Sequence, residues 1–230
     1  VPLHRYHLPT VVHAMKKDWG NRFGVKGRIY VSKEGINAQL MLPFENFTTF
    51  LLSLPEQYPF LRGATFVPGS SFHITPSHPV PFEKLRIKVR ERLVADELTF
   101  ALDMKNTGNH LSPAEWNRLL ASREQKKTGE ELVLIDTRNF YETNIGRFDG
   151  AVLLETERFT QVFHSIDRTL EHCSKTQKIL LYCTGGIRCE KVGAYLTQVK
   201  GFTDVNTLHG GINAWQSYIN ARSPQSLLTA

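Results

Sequence analysis

A small α+β sandwich followed by an open, parallel α/β sheet is the architecture predicted by this sequence of 230 residues. Three observations carry that expectation. The length suits two domains of ordinary size. The first part combines a hairpin signal with helical spacings of large apolar residues. The remainder alternates short apolar runs with amphipathic stretches, as a parallel sheet covered by helices on both faces requires.

In the first domain, residues 11–19 read as a helix, 25–31 as a strand and 36–42 as its hairpin partner, with the turn at Lys33-Glu34-Gly35. Pro43 stands where a helix would begin, and Phe44, Phe47, Phe50, Leu51 and Leu54 recur at helical intervals. Further strands are expected near residues 64–67 and 85–93. This order predicts a ferredoxin- or acylphosphatase-like domain over residues 1–95. Residues 96–112 hold the turn cluster Asn106-Thr107-Gly108-Asn109 and read as a connector.

The second domain is expected over residues 113–225, with a tail at 226–230. It opens where Ser112 can cap a helix that has Pro113 first and Glu115 third. Leu132-Val133-Leu134-Ile135 is a short apolar run ending at Asp136. Residues 157–170 have helical spacing in Phe159, Val162, Phe163, Ile166 and Leu170. Ile179-Leu180-Leu181-Tyr182 is a second apolar run, ending at Cys183. Residues 189–199 read as a helix, 205–208 as a short strand, and 212 onward as a helix. In such sheets ligands bind beyond the carboxyl ends of the strands, and Cys183 stands at such an end.

Composition sets bounds. Hydrophobic residues make up 41% and charged residues 22%, as in ordinary globular proteins. There is no run of 18 apolar residues, so no membrane span is expected. The first residues, Val1-Pro2-Leu3-His4-Arg5-Tyr6, lack the apolar stretch and cleavage site of a signal peptide. Three cysteines, Cys173, Cys183 and Cys189, argue against a disulfide scaffold and for a reducing, cytoplasmic setting. The nine histidines are scattered, with no paired ligand spacing, so no metal site is expected. The formal charge of +6 is uneven: residues 1–95 hold 13 Lys/Arg against 6 Asp/Glu, and residues 96–230 hold 15 against 16. The first domain therefore carries the basic character, which fits a polyanionic partner or, equally, a merely solubilising surface.

The chemistry concentrates in Cys183-Thr184-Gly185-Gly186-Ile187-Arg188-Cys189. A strand delivers the cysteine, two glycines let the chain curl, and a helix follows. Successive backbone N–H groups in such a turn form an anion cradle. The helix N-terminus and Arg188 add positive charge, which favours the Cys183 thiolate. Four residues separate Cys183 from Arg188, one fewer than in cysteine-based phosphatases. The tighter cradle fits a terminal sulfur or redox chemistry better than a phosphate. Cys189 reads as a small residue opening the helix, its thiol turned from the cradle by helix geometry. The other reading of Cys189 is a resolving thiol.

Residues 131–216 resemble a rhodanese domain. Leu134-Ile135-Asp136-Thr137-Arg138, Tyr141-Glu142 and Ile145 to Ala151 look like that family's first signature, with a minor departure near Arg147, where a histidine is usual. Residues 201–205 and 208–215 look like its C-terminal signature. Asp136 and Arg138 read as a brace at the strand end, and Trp215 as core. The whole chain resembles one subfamily, rhodanese-like proteins that hydroxylate the wobble uridine of tRNA to 5-hydroxyuridine. The loop continuing into Glu190-Lys191, the stretch Ser32 to Ala38 with its Glu-Gly-Ile-Asn motif, and the stretch Pro81 to Arg90 carry this likeness. Relatives often have a cysteine-containing C-terminal tail, which this sequence lacks. The resemblance implies tRNA as partner, Cys183 and Arg188 as catalytic residues, and molecular oxygen as co-substrate. No flavin or nucleotide fingerprint and no iron triad is read, so no further cofactor is expected.

The residues themselves also point to RNA. Lys84, Arg86, Lys88, Arg90 and Arg92 alternate with Leu85, Ile87, Val89 and Leu93. In a strand, that places five cations on one face and apolar groups on the other. A row of like charges matches a phosphate backbone, although an edge strand protected by lysines and arginines has the same pattern. Lys33 and Arg28 are weaker candidates for the same surface. The expected function is therefore tRNA uridine hydroxylation. Its rivals are a sulfurtransferase that moves sulfane sulfur from a small-molecule donor through a Cys183 persulfide, and a non-enzymatic adaptor, which the intact Cys183 disfavours.

Overall fold

Two sheets organise the residues that a computed structural model of the chain describes: 3–62, 64, 66, 80–125 and 132–222. They belong to two compact units, the first ending at Leu93 and the second taking up the chain from Val94. In the first unit, α1 (Leu8–Met15) runs on through a wider helical segment, Lys16–Arg22. β1 (Lys26–Ser32) and β2 (Gly35–Met41) form the expected antiparallel hairpin. α2 (Phe47–Gln57) follows, and β3 (Leu85–Val89) pairs parallel with β1. The sheet order is β2-β1-β3. Ile29, Val31 and Ile87 face a core shared with Met15, Trp19, Phe50 and Leu54 from the helices. Trp19 and Phe23 both pack edge-on against Phe50.

The Glu-Gly-Ile-Asn motif has a local role. The Glu34 carboxylate accepts the Leu93 N–H at 3.0 Å, which ties the chain leaving β3 back to the β1–β2 turn. β3 is shorter than its alternating sequence implies. Arg90 still donates its N–H to the Val31 carbonyl at 2.8 Å, but the chain then bends, and Arg92 lies half-buried beyond the strand. The expected row of five cations is thus four, because the ladder ends before its last member. Val89, expected in the core, is 46% exposed. The strand expected at residues 64–67 falls partly outside the described residues; Ala64 and Phe66 lie in neither helix nor strand.

The second unit has a five-stranded parallel sheet in the order β4-β8-β7-β5-β6. Its elements are β4 (Asn109–Leu111), α3 (Pro113–Gln125), β5 (Val133–Asp136), α4 (Phe140–Thr143), β6 (Val152–Leu153), α5 (Val162–Thr169), β7 (Ile179–Tyr182), α6 (Ile187–Gln198), β8 (Val205–Leu208) and α7 (Gly211–Asn220). Ser112 and Glu115 make the expected reciprocal cap: the Ser112 N–H donates to the Glu115 carboxylate at 2.8 Å, and the Glu115 N–H to Ser112 Oγ at 3.3 Å. Both sheet faces are covered, as expected from the unbroken apolar runs. Ile135, Ile179 and Leu181 point into a core with α5 and α6, while Leu134, Leu180 and Tyr182 meet Trp116, Phe148 and Trp215.

The segment 96–112 is not a connector. β4 lies within it and pairs with β8, and Leu98 and Leu102 pack on the α5–α6 core. Asp96 is 2% exposed and pairs with the equally buried Lys191 of α6 at 2.8 Å. Turn-rich composition hid these long-range contacts.

Candidate active site

β7 is wholly buried and presents Cys183 at its carboxyl end. Gly186 then takes a φ of +96°, a conformation that side-chain-bearing residues rarely adopt, and α6 starts at the next residue. The turn brings the Gly186 N–H to 3.1 Å from Cys183 Sγ, and the N–H groups of Arg188 and Cys189 also bond that sulfur. Ile187 opens the helix and Gly185 is exposed at the loop tip. The start of α7 braces the loop from behind. Ile212 N–H donates to the Cys183 carbonyl at 2.9 Å, and Asn213 N–H to the Thr184 carbonyl at 3.2 Å. A Cβ on Gly211 would fall 2.5 Å from both carbonyl oxygens, so this approach needs glycine.

Burial alone would push the Cys183 thiol up. The Cys189 thiol donates to its sulfur, the Arg188 charge lies close, and the backbone N–H groups complete the set, so the thiol is brought down to about 6. Cys183 is therefore mostly thiolate at neutral pH. Cys189 is pushed well up, by its own burial and then by the Cys183 sulfur it bonds, and it stays a thiol. Thr137 Oγ1 lies 3.6 Å from its sulfur. The expectation that Cys189 turns away from the cradle is thus overturned. α6 starts at Ile187 rather than at residue 189, and this earlier start brings the side chain of its third residue under the loop.

Arg188 is held by α4. Its Nη1 and Nη2 donate to the two Glu142 carboxylate oxygens at 2.6 and 2.7 Å, and Nη2 also donates to Thr184 Oγ1 at 2.9 Å. Thr184 in turn donates to Glu142 at 2.6 Å. Burial pushes the Glu142 carboxyl up, but the bonds from Arg188 and Thr184 and the Arg188 charge outweigh it and hold the carboxyl at about 2. The guanidinium beside the thiolate is thereby fixed in place. Asp136 and Arg138 form a separate buried pair, with Arg138 Nη2 donating to Asp136 at 2.7 Å and to the Gly146 carbonyl at 2.6 Å. That pair sits at the end of β5, next to β7, under the ring of Tyr182.

The structure therefore brings Cys183, Thr184, Gly186 and Arg188 into one site and adds Glu142, Cys189 and Thr137. Glu142 was legible only as part of a signature; its 46-residue separation from Arg188 hid the contact. In the first unit Lys84, Arg86, Lys88 and Arg90 are all exposed, and Lys33 is exposed in the hairpin turn.

A buried thiolate cradled between a parallel strand and a helix N-terminus defines the second unit as a rhodanese-like domain, and the family model of that description matches residues 115–218. The model described as UPF0176 acylphosphatase like domain matches residues 3–93. Curated relatives extend the match across both units. A protein of Leptospira interrogans is 37% identical over 88% of this chain and 52% of its own length. One of Synechocystis is 31% identical over 92% of this chain and 69% of its own. One of Yersinia pestis is 34% identical over 83% of this chain and 50% of its own. All three are named tRNA uridine(34) hydroxylase. The chain belongs to this tRNA uridine(34) hydroxylase family. It spans about half the length of the Leptospira and Yersinia relatives. Among solved structures, a rhodanese-like domain protein of Staphylococcus aureus matches 46% of this chain and 90% of its own at 23% identity, with a TM-score of 0.35.

Proposed function

We propose that this chain hydroxylates the wobble uridine of tRNA to 5-hydroxyuridine, with Cys183 as nucleophile and molecular oxygen as co-substrate. The observation that carries the reading is the fully buried Cys183 sulfur, held ionised by four donors and one cation. Such a thiolate adds to C6 of the uracil ring, and the electron pair moves to C5 and O4. C5 then attacks oxygen and becomes a hydroperoxide. A thiol reductant takes the distal oxygen as water and is itself oxidised to a disulfide. Loss of the C5 proton expels Cys183 as thiolate and restores the C5–C6 double bond. The cradle stabilises the anionic sulfur before and after this sequence. The base reaches the site splayed out of its stack, and the basic strand of the first unit supplies phosphate contacts.

Mass spectrometry of nucleosides tests the reading. Purified protein, tRNA, oxygen and a thiol reductant are expected to yield 5-hydroxyuridine, and Cys183→Ser none. The sulfurtransferase reading draws on the same cradle, because its size also suits a persulfide. Thiosulfate separates the two: brisk sulfur transfer to cyanide with unmodified tRNA overturns the hydroxylase and leaves the sulfurtransferase.

A further inference from the structure

β1 and β3 turn outward a charged face for which the catalytic reading asks only phosphate contacts. Their register sets Arg28 directly opposite Arg86 and Tyr30 opposite Lys88. Like charges facing each other across a ladder are destabilising. Arg28, Arg86 and Lys88 are all exposed, and among the described residues none has a carboxylate partner. On the other side of β1 the register continues the same face through Gln39 and Asn37, which are neutral hydrogen-bonding groups. Tyr30 sits at the centre, half-buried, with the Arg90 guanidinium 5.3 Å from its ring centroid. The face thus has an aromatic ring with one guanidinium over it, three cations with no carboxylate partner among the described residues, and two amide side chains. Duplex recognition needs only the cations, whereas unstacked bases also use an aromatic plane and amides.

We propose that this sheet face binds a single-stranded RNA segment, with one base stacked on Tyr30 in the place that the Arg90 guanidinium occupies in this structure, phosphates on Arg28, Arg86 and Lys88, and base edges on Asn37 or Gln39. The inference rests on the reading of the chain as an RNA-modifying enzyme but names a site in the first unit, built from residues other than those of the Cys183 loop. The cations and the ring make separable contributions. Removing the ring removes stacking and leaves the charge, so affinity falls while its salt dependence stays. Removing cations flattens the salt dependence.

The test is fluorescence anisotropy of the full chain with a labelled oligouridylate and with an RNA duplex of equal length, across a salt series. Tyr30→Ser is expected to weaken oligouridylate binding roughly ten-fold with an unchanged salt slope, and Tyr30→Phe to keep full affinity. Replacing Arg28, Arg86 and Lys88 together by Gln is expected to reduce the slope of log affinity against log salt by about 2. These three side chains are exposed, so that variant folds even if Tyr30→Ser does not. Equal affinity for duplex and single strand, unchanged binding by a folded Tyr30→Ser, or an unchanged slope in the triple variant each overturns the proposal. The readout is independent of hydroxylation. Binding as described without 5-hydroxyuridine formation supports the platform and sinks only the catalytic reading; hydroxylation with Tyr30-independent binding does the reverse.

Discussion

Cys189→Ala should move the ionisation of Cys183, and by a definable amount. In the folded protein the Cys183 sulfur is bonded by the Cys189 thiol, by Gly186 N–H at 3.1 Å and by two more backbone N–H groups, with the Arg188 charge beside it. Only the thiol contact is lost in the variant. A hydrogen bond to an ionised acceptor is worth roughly 1.5 kcal/mol at the lower end of its range, which is about one pH unit. Cys183 ionises at about 6 in the native protein. At pH 6 the thiolate fraction is therefore expected to fall from about one half to about one tenth, and above pH 8 the two proteins should converge. Ultraviolet thiolate absorbance against pH, in a Cys173→Ser background, reads this directly and needs no reagent to reach the buried sulfur. Cys189→Ser restores an O–H donor and should return the midpoint most of the way. A midpoint in Cys189→Ala that coincides with that of the parent protein would refute the assignment of Cys189 as donor. So would an equal rise in Cys189→Ser, which would make the effect one of packing.

Three further outcomes follow from the same site and its supports. Cys183→Ser should abolish product formation while Cys173→Ser leaves most of it, because the Cys173 side chain packs at the edge of the core; nucleoside mass spectrometry decides. Glu142→Gln should cost about 2 kcal/mol near neutral pH, below the range for a fully buried pair because both side chains keep some solvent contact. Since the Glu142 carboxyl is depressed, its stabilisation is complete above the ordinary value of 4.5 and is lost as pH falls through about 2, so thermal melts of variant and parent should converge only in strong acid. Lys191→Met should cost about 3 kcal/mol or more in denaturant unfolding by stranding the Asp96 charge, and Asp96→Leu added to it should recover much of that loss; an unrecovered double variant would show that Asp96 holds the segment by other contacts.

The parts of the fold legible in the sequence were those set by local pattern. The run at residues 179–182 became β7 with its expected bounds, because buried parallel strands are continuously apolar, and residues 205–208 became β8 as expected although Asn206 and Thr207 interrupt its apolar pattern. The Ser112 cap was legible because its partner Glu115 lies three residues on. The cradle was legible for the same reason, since strand, glycines, arginine and helix are contiguous. What failed was everything decided by distant contacts. β4 is three residues long and carries no apolar run, and its place in the sheet is set by β8 almost a hundred residues away. The basic strand ended early because Glu34, in a different turn, captures the backbone of Leu93 and bends the chain under Arg92. Period-2 alternation reports which way side chains would point in a strand, and nothing in it reports where the ladder stops.

Cys189 shows how much chemistry hangs on one such boundary. Had α6 begun at residue 189, that thiol would lie at the first helical position, and helix geometry would turn it from the cradle. Beginning at Ile187, α6 places Arg188 and Cys189 on its first turn together, so one residue supplies a charge and the next a hydrogen bond to the same sulfur. The two contributions differ in kind. The Arg188 charge is fixed by Glu142 and Thr184, and pH has no hold on it in the working range. The Cys189 thiol is neutral and keeps its proton, because its burial and the Cys183 sulfur it bonds push its ionisation well up. A thiolate at Cys183 is thus stabilised by a fixed charge on one side and a neutral hydrogen-bond donor on the other. The Ile212 and Asn213 N–H groups hold the loop from behind, at an approach that the absence of a Cβ on Gly211 permits, so neither donor can be exchanged for water by loop movement without breaking their bonds to the Cys183 and Thr184 carbonyls. The ionisation of Cys183 is therefore a property of the helix start as much as of the cysteine, and substitutions at residues 187–189 should act on it even where they leave the sulfur untouched.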